Sequence, residues 1–326
     1  MTILKDKVAC VFGGTGFIGT QIVRELAQQG YRVKVATRVP ERAFFLRPCG
    51  VVGQVVPCAC DYSSESVSES IEGCEIVVNA VGILFEKGRS KFRKVHVDLA
   101  RAIAESCAEH NVKHFVHVSA LGIEQSRSRY AQNKLEAENA VQEACPAVTI
   151  LRPSVVFGPG DSFFNMFASL AQIAPALPLI GGGKTRFQPV YVGDVADAVM
   201  AVIAAPAIGT RNVKGQIILL GGPEILSLKD IYHRLFQEIK TKRMLLSLPF
   251  PVAKIKAAFL GLLPKPPLTI DQVESLKSDS VVDIERGSGR LDLSDLGIEP
   301  TGMSTILPTY LARFQPGGRF ADKKAA

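Results

Sequence analysis

Residues 7–30 read KVACVFGGTGFIGTQIVRELAQQG, and this stretch determines the fold class. The apolar run at its start predicts a buried β-strand, and the helical spacing of apolar residues after Phe17 predicts an amphipathic helix. The intervening glycines permit a tight turn, close approach of the backbone to a pyrophosphate, and close helix packing. Because the helix N-terminus adds unpaired N–H groups, the stretch predicts a dinucleotide-binding turn. Its predicted cofactor-binding residues are Gly13, Thr15, Gly16, Phe17, Ile18 and Gly19.

The same alternation of strand and helix continues to about residue 160. Further strand-like runs occupy residues 31–37, 52–59, 75–82, 113–120 and 147–157, with helix-like runs at 93–110 and 130–144. This spacing predicts right-handed crossovers and a doubly wound parallel α/β sheet. We therefore expect a Rossmann dinucleotide-binding domain over residues 1–160, joined by strands returning from the later half. Residues 161–326 are expected to form a smaller C-terminal α/β domain at the carboxyl edge of the sheet.

The end of the second predicted strand bears on the choice of nucleotide. Strands that bind NAD(H) usually end in an acid for the ribose 2′-hydroxyl, whereas this one ends in Thr37 and Arg38, with Arg42 one turn later. A guanidinium suits a 2′-phosphate, and the missing carboxylate removes a repulsive charge. The sequence therefore favours NADP(H), with NAD(H) as the alternative. A surface arginine that contacts only water is the simplest competing explanation for Arg38.

A second motif lies on the helix that follows the fifth strand. Tyr130 and Lys134 are four residues apart and therefore share one helix face. A nearby ammonium favours the phenolate, so we expect the tyrosine pKa to fall below its usual value of about 10. The pair predicts a catalytic acid/base tyrosine, supported by a lysine that also binds the nicotinamide ribose. A coincidental surface pair is the alternative.

Composition and hydropathy limit the class of protein. With 326 residues, 47% hydrophobic and 21% charged, the chain is typical of a globular protein. Its seven cysteines contain no CxxC pair, which favours reduced thiols over a disulfide framework. Residues 162–183 carry no charge, but prolines and glycines interrupt them, so they predict a helix and loop lining a pocket or interface. No signal or transit peptide is recognised at the N-terminus, and a cytoplasmic location is expected.

Positive charge is concentrated in residues 229–265, which hold eight Lys or Arg and two acids. Within this stretch, residues 251–263 predict a short amphipathic helix. Such a helix can lie against anionic lipid or a membrane subunit, or it can cover the protein's own core. The stretch as a whole predicts either a membrane or anionic partner, or a solvated helix face. The apolar side of the helix comprises Val252, Ile255, Phe259 and Leu262.

Two kinds of ligand are not predicted. The basic residues show no aromatic-interleaved pattern of the kind that binds nucleic acid. No cysteine or histidine spacing suggests a metal site. His114 and His117 face opposite sides of the fifth strand, so they are expected to be satisfied within the fold.

The motifs resemble those of the extended branch of the short-chain dehydrogenase/reductase superfamily, which includes sugar epimerases and dehydratases. The resemblance rests on GGTGFIG, Asn79-Ala80-Val81-Gly82, YAQNK, Arg152-Pro153-Ser154, FGPGD, and FQPVYVGDVADAV around Asp194. It implies that Asp61 lies near the adenine and that the run from Asn79 to Gly82 lies beneath the ribose. It also implies that Pro153 belongs to the cofactor site.

The end of the fifth strand departs from that superfamily. Its catalytic members place Ser or Thr there to bind the substrate carbonyl, and the resemblance aligns Ala120 with this position. Ser119 would then lie beside it on the other face of the strand. A shift of one residue would restore Ser119 as a catalytic and cofactor-binding hydroxyl, so both alignments stay open. With Ala120 in that position, sugar chemistry is disfavoured.

A narrower resemblance rests on ATRVPERAFFLRPCGVVGQVVP, HVSALG, RYAQNK and LTIDQVESLKSDSVV. These segments are similar to the dinucleotide-binding accessory subunit of respiratory complex I, NADH:ubiquinone oxidoreductase, and its bacterial homologues. That resemblance implies a structural NADP(H) without fast turnover, complex I subunits as partners, and a place at the cytoplasmic face of a bacterial inner membrane. The alternative is an NADP-dependent oxidoreductase acting on a quinone precursor or another apolar carbonyl compound. A sugar-nucleotide epimerase or dehydratase is the third hypothesis.

Overall fold

The computed structural model describes residues 7–88, 90–204, 207–208, 211–263, 266–287 and 289–318. The strands in these ranges are β1 Val8–Phe12, β2 Arg32–Thr37, β3 Val55–Ala59, β4 Ile76–Asn79, β5 His114–Val118, β6 Thr149–Pro153, β7 Val156–Phe157, β8 Ala176–Ile180, β9 Arg186–Phe187, β10 Val190–Tyr191, β11 Ala207–Ile208, β12 Arg211–Asn212, β13 Ile217–Leu220, β14 Leu226–Ser227, β15 Met244–Leu248 and β16 Leu291–Asp292. The α-helices are α1 Phe17–Gln28, α2 Ser64–Ile71, α3 Leu99–Glu109, α4 Arg129–Ala144, α5 Phe163–Ile173, α6 Val192–Ala204, α7 Leu228–Glu238, α8 Phe250–Leu260, α9 Ile270–Ser275, α10 Val282–Arg286 and α11 Met303–Leu311.

Eight strands form one parallel sheet in the order β16–β13–β6–β5–β4–β1–β2–β3. The chain extends the sheet in one direction up to β3 and then in the other direction from β4. The carboxyl ends of β1 and β4 therefore flank the crevice where ligands of such sheets bind. Apolar residues of α1 and α6 cover one face, and those of α2, α3 and α4 cover the other. This is the doubly wound sheet predicted from the sequence, with β13 and β16 as the returning strands.

The later half of the chain also builds a smaller core beside the sheet. Helices α5, α7 and α11 pack their apolar sides together with β8. Two predicted elements differ here. Residues 162–183 form α5 and then β8, which pairs with β15, so the predicted loop is partly a strand. The predicted sixth strand is divided into β6 and β7, because the chain leaves the main sheet after Pro153 and β7 pairs with β10.

Helix α8 turns its apolar side outward. Its contacts with the core are made by the small residues Ala253 and Ala257, which are fully buried. The outward side comprises Val252 (42% exposed), Ile255 (61%), Phe259 (72%) and, just past the helix, Leu262 (84%). The alternative in which this side covers the protein's own core is therefore wrong. None of the described helices has both the length and the apolar content needed to cross a bilayer.

Candidate functional site

The predicted cofactor residues lie at the carboxyl ends of neighbouring strands. Across the sheet, these ends carry Asp61 after β3, Arg38 after β2, Gly13 after β1, Asn79 in β4, Ser119 after β5 and Pro153 in β6. Because the strands are parallel and adjacent, these residues form one row along a single edge of the sheet. The fold thus brings together residues that are far apart in sequence.

The glycine turn brings two backbone segments into close contact. Gly13 has a φ of +77°, and a Cβ at this position would lie 2.7 Å from the carbonyl carbon of Ala80. A Cβ at Gly19 would collide with the carbonyl oxygen of Gly13. The N–H of Gly16 donates to that same oxygen at 2.9 Å and closes the turn. Any side chain at Gly13 or Gly19 would displace backbone, so the glycines are required by geometry.

Helix α1 begins at this turn with an open N-terminus. Its N-cap residue, Gly16, has no side chain to cap the helix, and the first turn contains no acidic residue. Thr15 and Gly16 are exposed, while Phe17 and Ile18 are half-buried. The free N–H groups and the positive end of the helix can therefore hold a pyrophosphate. This cradle fits the phosphates of an NAD(P)-type nucleotide.

The far end of the row contains the predicted 2′-phosphate residues. Arg38 is exposed, and its guanidinium carbon lies 5.5 Å from the centre of the Tyr62 ring. Arg42 is exposed on the 3₁₀ segment Pro40–Cys49. The Asp61 carboxylate accepts hydrogen bonds from the side chain and backbone of Ser63, which hold the pKa of Asp61 below its usual range. Tyr62 was not predicted as a site residue, although it directly follows Asp61.

Asn79 is buried at the end of β4, and its side chain points into the fold. Its oxygen accepts a hydrogen bond from the Val81 N–H at 3.1 Å, so its amide nitrogen donates to Nδ1 of His117 at 3.1 Å. The ring hydrogen of His117 is therefore on Nε2, which is buried and has no hydrogen-bond partner within the described part of the chain. In the same run, the backbone of Ala80 lies directly against Gly13 of the glycine turn. The expectation that His117 is fully satisfied is wrong, because one donor stays open.

Tyr130 lies against His96, and Lys134 is close enough to affect the charge of that ring. The Tyr130 ring packs edge-on to the His96 ring, with 5.4 Å between centroids, and also against Phe92 at 5.9 Å. Lys134 is buried, and its Nζ donates to the carbonyl of Val118 at 2.9 Å. Electrostatic repulsion from Lys134 also contributes to lowering the pKa of His96. The pair predicted from spacing therefore consists of a half-buried tyrosine and a buried lysine that faces the sheet, so the alternative of a coincidental surface pair is wrong.

Asp271 holds the start of α4 from a distant part of the sequence. Its carboxylate accepts hydrogen bonds from the backbone N–H groups of Arg129 at 2.6 Å and Tyr130 at 3.0 Å. Ser128 adds the side-chain N-cap of this helix. The C-terminal half thereby fixes the position of Tyr130 through backbone contacts.

The pKa values at Tyr130 and Lys134 differ from the sequence prediction. Burial raises the pKa of Tyr130 to about 12. Burial also lowers the pKa of Lys134 to about 8, against the opposing effect of the nearby Glu138 carboxylate. The predicted fall in the Tyr130 pKa is wrong, because desolvation disfavours the charged phenolate and raises the pKa. At neutral pH the tyrosine is protonated and the lysine is charged.

His96 adds a second open donor next to this pair. The Ile83 N–H donates to Nε2 of His96 at 3.0 Å, so the ring hydrogen is on Nδ1. That atom is buried and, like the Ser119 hydroxyl, makes no hydrogen bond to any residue that the structure describes. Burial lowers the pKa of His96 to about 3 and the pKa of His117 well below its usual value. We call His96, His117, Ser119 and Lys134 the Lys134 cluster; it offers donors and suits an oxygen acceptor.

Ser119 lies on the same side of the sheet as Lys134. The alternation along β5 runs from Phe115 through His117 to Ser119, and Phe115 packs under α3 and α4. The Ser119 N–H donates to the Leu151 carbonyl at 2.7 Å, so the strand pairing continues through this residue. Of the two alignments left open by the sequence, this orientation agrees with the one that places Ser119 on the side of the site.

A second buried polar group lies farther along α4. Arg152 in β6 forms two hydrogen bonds with Glu138, at 2.9 and 2.5 Å, and one with Glu285 at 2.8 Å. Its Nη1 also donates to Glu124 at 3.0 Å, and Arg290 bonds to Glu124 and Glu285. We call these five residues the Arg152 network. The sequence indicated Arg152 only as part of a motif and did not reveal its three carboxylate partners, which come from three separate segments.

A model of the NAD dependent epimerase/dehydratase family matches residues 9–221, more than half of the chain. The chain belongs to that family. The glycine turn and the eight-stranded sheet are accordingly those of an NAD(P)-binding Rossmann domain of the extended short-chain dehydrogenase/reductase type.

Several relatives of this family member are subunits of NADH dehydrogenase. The chain is 32% identical over 324 residues to NADH dehydrogenase (ubiquinone) 1 alpha subcomplex subunit 9, mitochondrial, of Arabidopsis thaliana, covering 95% of this chain and 79% of that protein. It is 31% identical to the protein of that name from Mus musculus, covering 90% and 77%. A ceramide reductase of Caulobacter vibrioides is 32% identical over 203 residues, or 62% of either chain.

Solved structures of other proteins share the fold of this family member. UDP-glucuronic acid 4-epimerase from Bacillus cereus, in complex with UDP-glucuronic acid and NAD, superposes with a TM-score of 0.70 at 17% identity, covering 94% of this chain and 98% of that one. The NADPH-dependent quinone oxidoreductase QOR2 of Escherichia coli, complexed with NADPH, gives a TM-score of 0.69 at 17% identity, covering 94% and 99%. One holds NAD and the other NADPH, so the fold alone does not select the nucleotide.

Proposed function

We propose that this chain is an accessory protein of respiratory complex I that holds NADP(H) without fast turnover. The observation that carries the proposal is an intact pyrophosphate cradle at Gly13, Gly16 and Gly19, in a chain similar to a complex I subunit over 95% of its length. Accessory subunits of this kind stabilise an assembly by their surfaces, and a bound nucleotide stabilises the subunit itself.

Each part of the nucleotide has a predicted position along the row of strand ends. The open N-terminus of α1 would hold the pyrophosphate, and the stretch from Asn79 to Gly82 would lie beneath a ribose. Arg38 and Arg42 would hold the 2′-phosphate, and no carboxylate ends β2 to repel it. The open donors of the Lys134 cluster would meet oxygen atoms at the nicotinamide end. When bound, NADPH supplies a hydride for transfer to a carbonyl carbon.

The state of Tyr130 favours binding over turnover. A phenol whose pKa is raised to about 12 is a poor proton donor at neutral pH. The hydroxyl makes no hydrogen bond to the residues that the structure describes, and the Lys134 amine is directed to the Val118 carbonyl. These two features support a nucleotide that is held as a structural cofactor.

A thermal unfolding assay tests the nucleotide assignment. Saturation at one hundred times the dissociation constant adds about 2.7 kcal/mol of stability, so NADPH should raise the melting temperature clearly. Arg38→Ala should reduce this rise for NADPH and leave the rise with NADH nearly unchanged. Arg32→Ala is the matched control, because Arg32 is also exposed and lies at the opposite end of β2. Equal shifts with both nucleotides, before and after Arg38→Ala, would contradict the assignment to the 2′-phosphate.

The location and partners follow from the same proposal. The protein would associate with complex I at the cytoplasmic face of a bacterial inner membrane, through the side of the molecule that carries α8. The outward apolar side of α8 and the positive charge of residues 229–265 support this placement. Native gels of gently solubilised membranes test it, since an associated chain migrates with NADH dehydrogenase activity.

An NADP-dependent reductase for an apolar carbonyl compound is the second candidate function. The Lys134 cluster favours it, because buried donors next to Tyr130 suit a carbonyl oxygen. The similarity to a ceramide reductase gives further support. Oxidation of NADPH that requires a carbonyl substrate and is abolished by Tyr130→Phe would establish this function. An unchanged rate in Tyr130→Phe would exclude Tyr130 as the acid.

A further inference from the structure

The outward apolar side of α8 is continuous with a groove. A concavity of about 460 Å³ lies between the loop at Phe85 to Lys87 and the turn at Gly261 to Leu263, with Pro266 at its end. Leu262 belongs to both the groove and the apolar side of α8. Leu84, which is 56% exposed, extends the apolar surface next to the loop. Contiguous exposed apolar surface of this kind marks an interaction site.

The groove adjoins the wall behind Tyr130. Its loop residue Glu86 accepts a hydrogen bond from the Phe92 N–H at 3.0 Å and pairs with Arg129 at 3.1 Å. The Phe92 ring packs against Tyr130, and Arg129 directly precedes Tyr130 in α4. A ligand chain in the groove would therefore lie one side chain away from the nicotinamide end of the nucleotide site.

The chemistry of the groove suits hydrocarbon. Phe85, Leu262, Leu263 and Pro266 supply the apolar part of its lining. The loop also contributes two charged residues, Lys87 and Glu86, and the Glu86 carboxylate is already engaged with Phe92 and Arg129. Its volume lies within the range of about 300–1,000 Å³ that is usual for small-molecule sites. A peptide would need polar partners for its backbone, whereas an acyl chain needs none.

The charge next to the groove suits an anionic bilayer. Helix α8 contains Lys254 and Lys256 and no acidic residue. Lys254 pairs with Glu274 at 2.6 Å, and Lys277 pairs with the same carboxylate at 2.9 Å, so this group keeps a net positive charge. Basic residues beside an exposed apolar helix face are the pattern that binds anionic lipid surfaces.

We propose that the apolar side of α8 lies on an anionic phospholipid bilayer and that the groove takes one acyl chain of a bilayer lipid towards Tyr130. This inference rests on the proposed function, because it names the surface by which the accessory protein meets the membrane. The groove and the nicotinamide end of the proposed nucleotide site then lie on the same side of the molecule.

Vesicle flotation with the full chain and NADPH tests the surface. Binding is expected to vesicles of phosphatidylcholine with about 30% phosphatidylglycerol, to weaken with salt, and to be absent with phosphatidylcholine alone. The double variant Ile255→Ser, Phe259→Ser should bind at least about tenfold more weakly. Ile173→Ser is the matched control, since Ile173 is 82% exposed on α5 and should not matter.

Tryptophan fluorescence tests the groove separately. The chain contains no tryptophan, so Phe85→Trp and Leu262→Trp each report on one position without background. Vesicles with brominated acyl chains should quench both, and they should leave Ile173→Trp unquenched. Quenching at Leu262 alone would overturn the acyl-chain site while retaining the surface contact.

The remaining outcomes separate this inference from the proposed function. Failure of the unaltered chain to float with anionic vesicles would overturn the lipid surface. If the same chain still migrates with NADH dehydrogenase on native gels, the association with complex I stands and only the lipid contact is overturned. The rise in melting temperature with NADPH, measured on the same samples, reports on the nucleotide site independently of lipid.

Discussion

Two buried polar groups lie one helical turn apart on α4 and are built in opposite ways. In the Arg152 network, the guanidinium is paired with the carboxylates of Glu124, Glu138 and Glu285. In the Lys134 cluster, by contrast, His96, His117 and Ser119 each keep a buried polar atom with no partner in the described part of the chain. Buried polar atoms are nearly always satisfied, and an open one costs stability. The paired charges suit a structural link between segments, whereas the open donors support the proposed nucleotide site.

Disrupting the Arg152 network should give the largest loss of stability. Glu138→Gln removes the charge that forms both short hydrogen bonds with Arg152, and it leaves a buried guanidinium partly uncompensated. We expect the free energy of unfolding in urea to fall by about 3–5 kcal/mol. Glu136→Gln is the matched control on the same helix, because its pair with Arg93 is exposed and should contribute at most about 1 kcal/mol. Equal losses in the two variants would contradict the structural role of the Arg152 network.

Removing the charge of Lys134 from the Lys134 cluster should change how stability depends on pH. Burial lowers the pKa of Lys134 from 10.5 to about 8, so the unfolded chain binds this proton more tightly than the folded chain. Native stability should therefore rise by about 3 kcal/mol between pH 8 and pH 10.5, relative to Lys134→Met. Urea unfolding of both proteins across this range measures the difference. Lys94→Met, at an exposed position, should run parallel to the unaltered protein, and a parallel Lys134→Met curve would refute the burial of the amine.

His96 should act on the acid side, where the change in stability is followed over a single pH unit. Burial lowers its pKa from 6.5 to about 3, so the unfolded chain takes up a proton that the folded chain refuses. Stability contributed by the neutral ring is complete above pH 6.5 and should decline by about 1 kcal/mol between pH 6 and pH 5. His96→Gln should remove this part of the decline, whereas His233→Gln, at an exposed position on α7, should not. Identical declines in all three proteins would show that His96 is accessible to protons.

The sequence predicted the paired strands and the glycine turn because their signals are local. Gly13, Gly16 and Gly19 stand between a strand and a helix, and parallel topology then places Arg38 and Asn79 along the same edge. The contacts that define the Lys134 cluster are not local. Nothing near Tyr130 in sequence marks His96 as its ring partner or Asp271 as the acceptor of its N–H.

Two further failures share a physical cause. The sequence could place Tyr130 and Lys134 on one helix face, but the sign of a pKa shift depends on burial, which spacing does not reveal. Likewise, the sequence predicted the apolar side of α8 but did not reveal whether that side faces the core or the solvent. Only the packing of Ala253 and Ala257 against the core shows that the large apolar residues face outward.

We propose above that this chain holds NADP(H) as a resident cofactor within complex I. The most direct measurement is to solubilise native membranes gently, isolate the band with NADH dehydrogenase activity from a native gel, and quantify both the chain and its nucleotide. We predict that the chain is in that band with about one NADP(H) per copy, and that Gly13→Ala, which would force a Cβ against Ala80, abolishes the nucleotide. A chain found only in the soluble fraction, oxidising NADPH with a carbonyl substrate, would contradict the claim and establish a reductase.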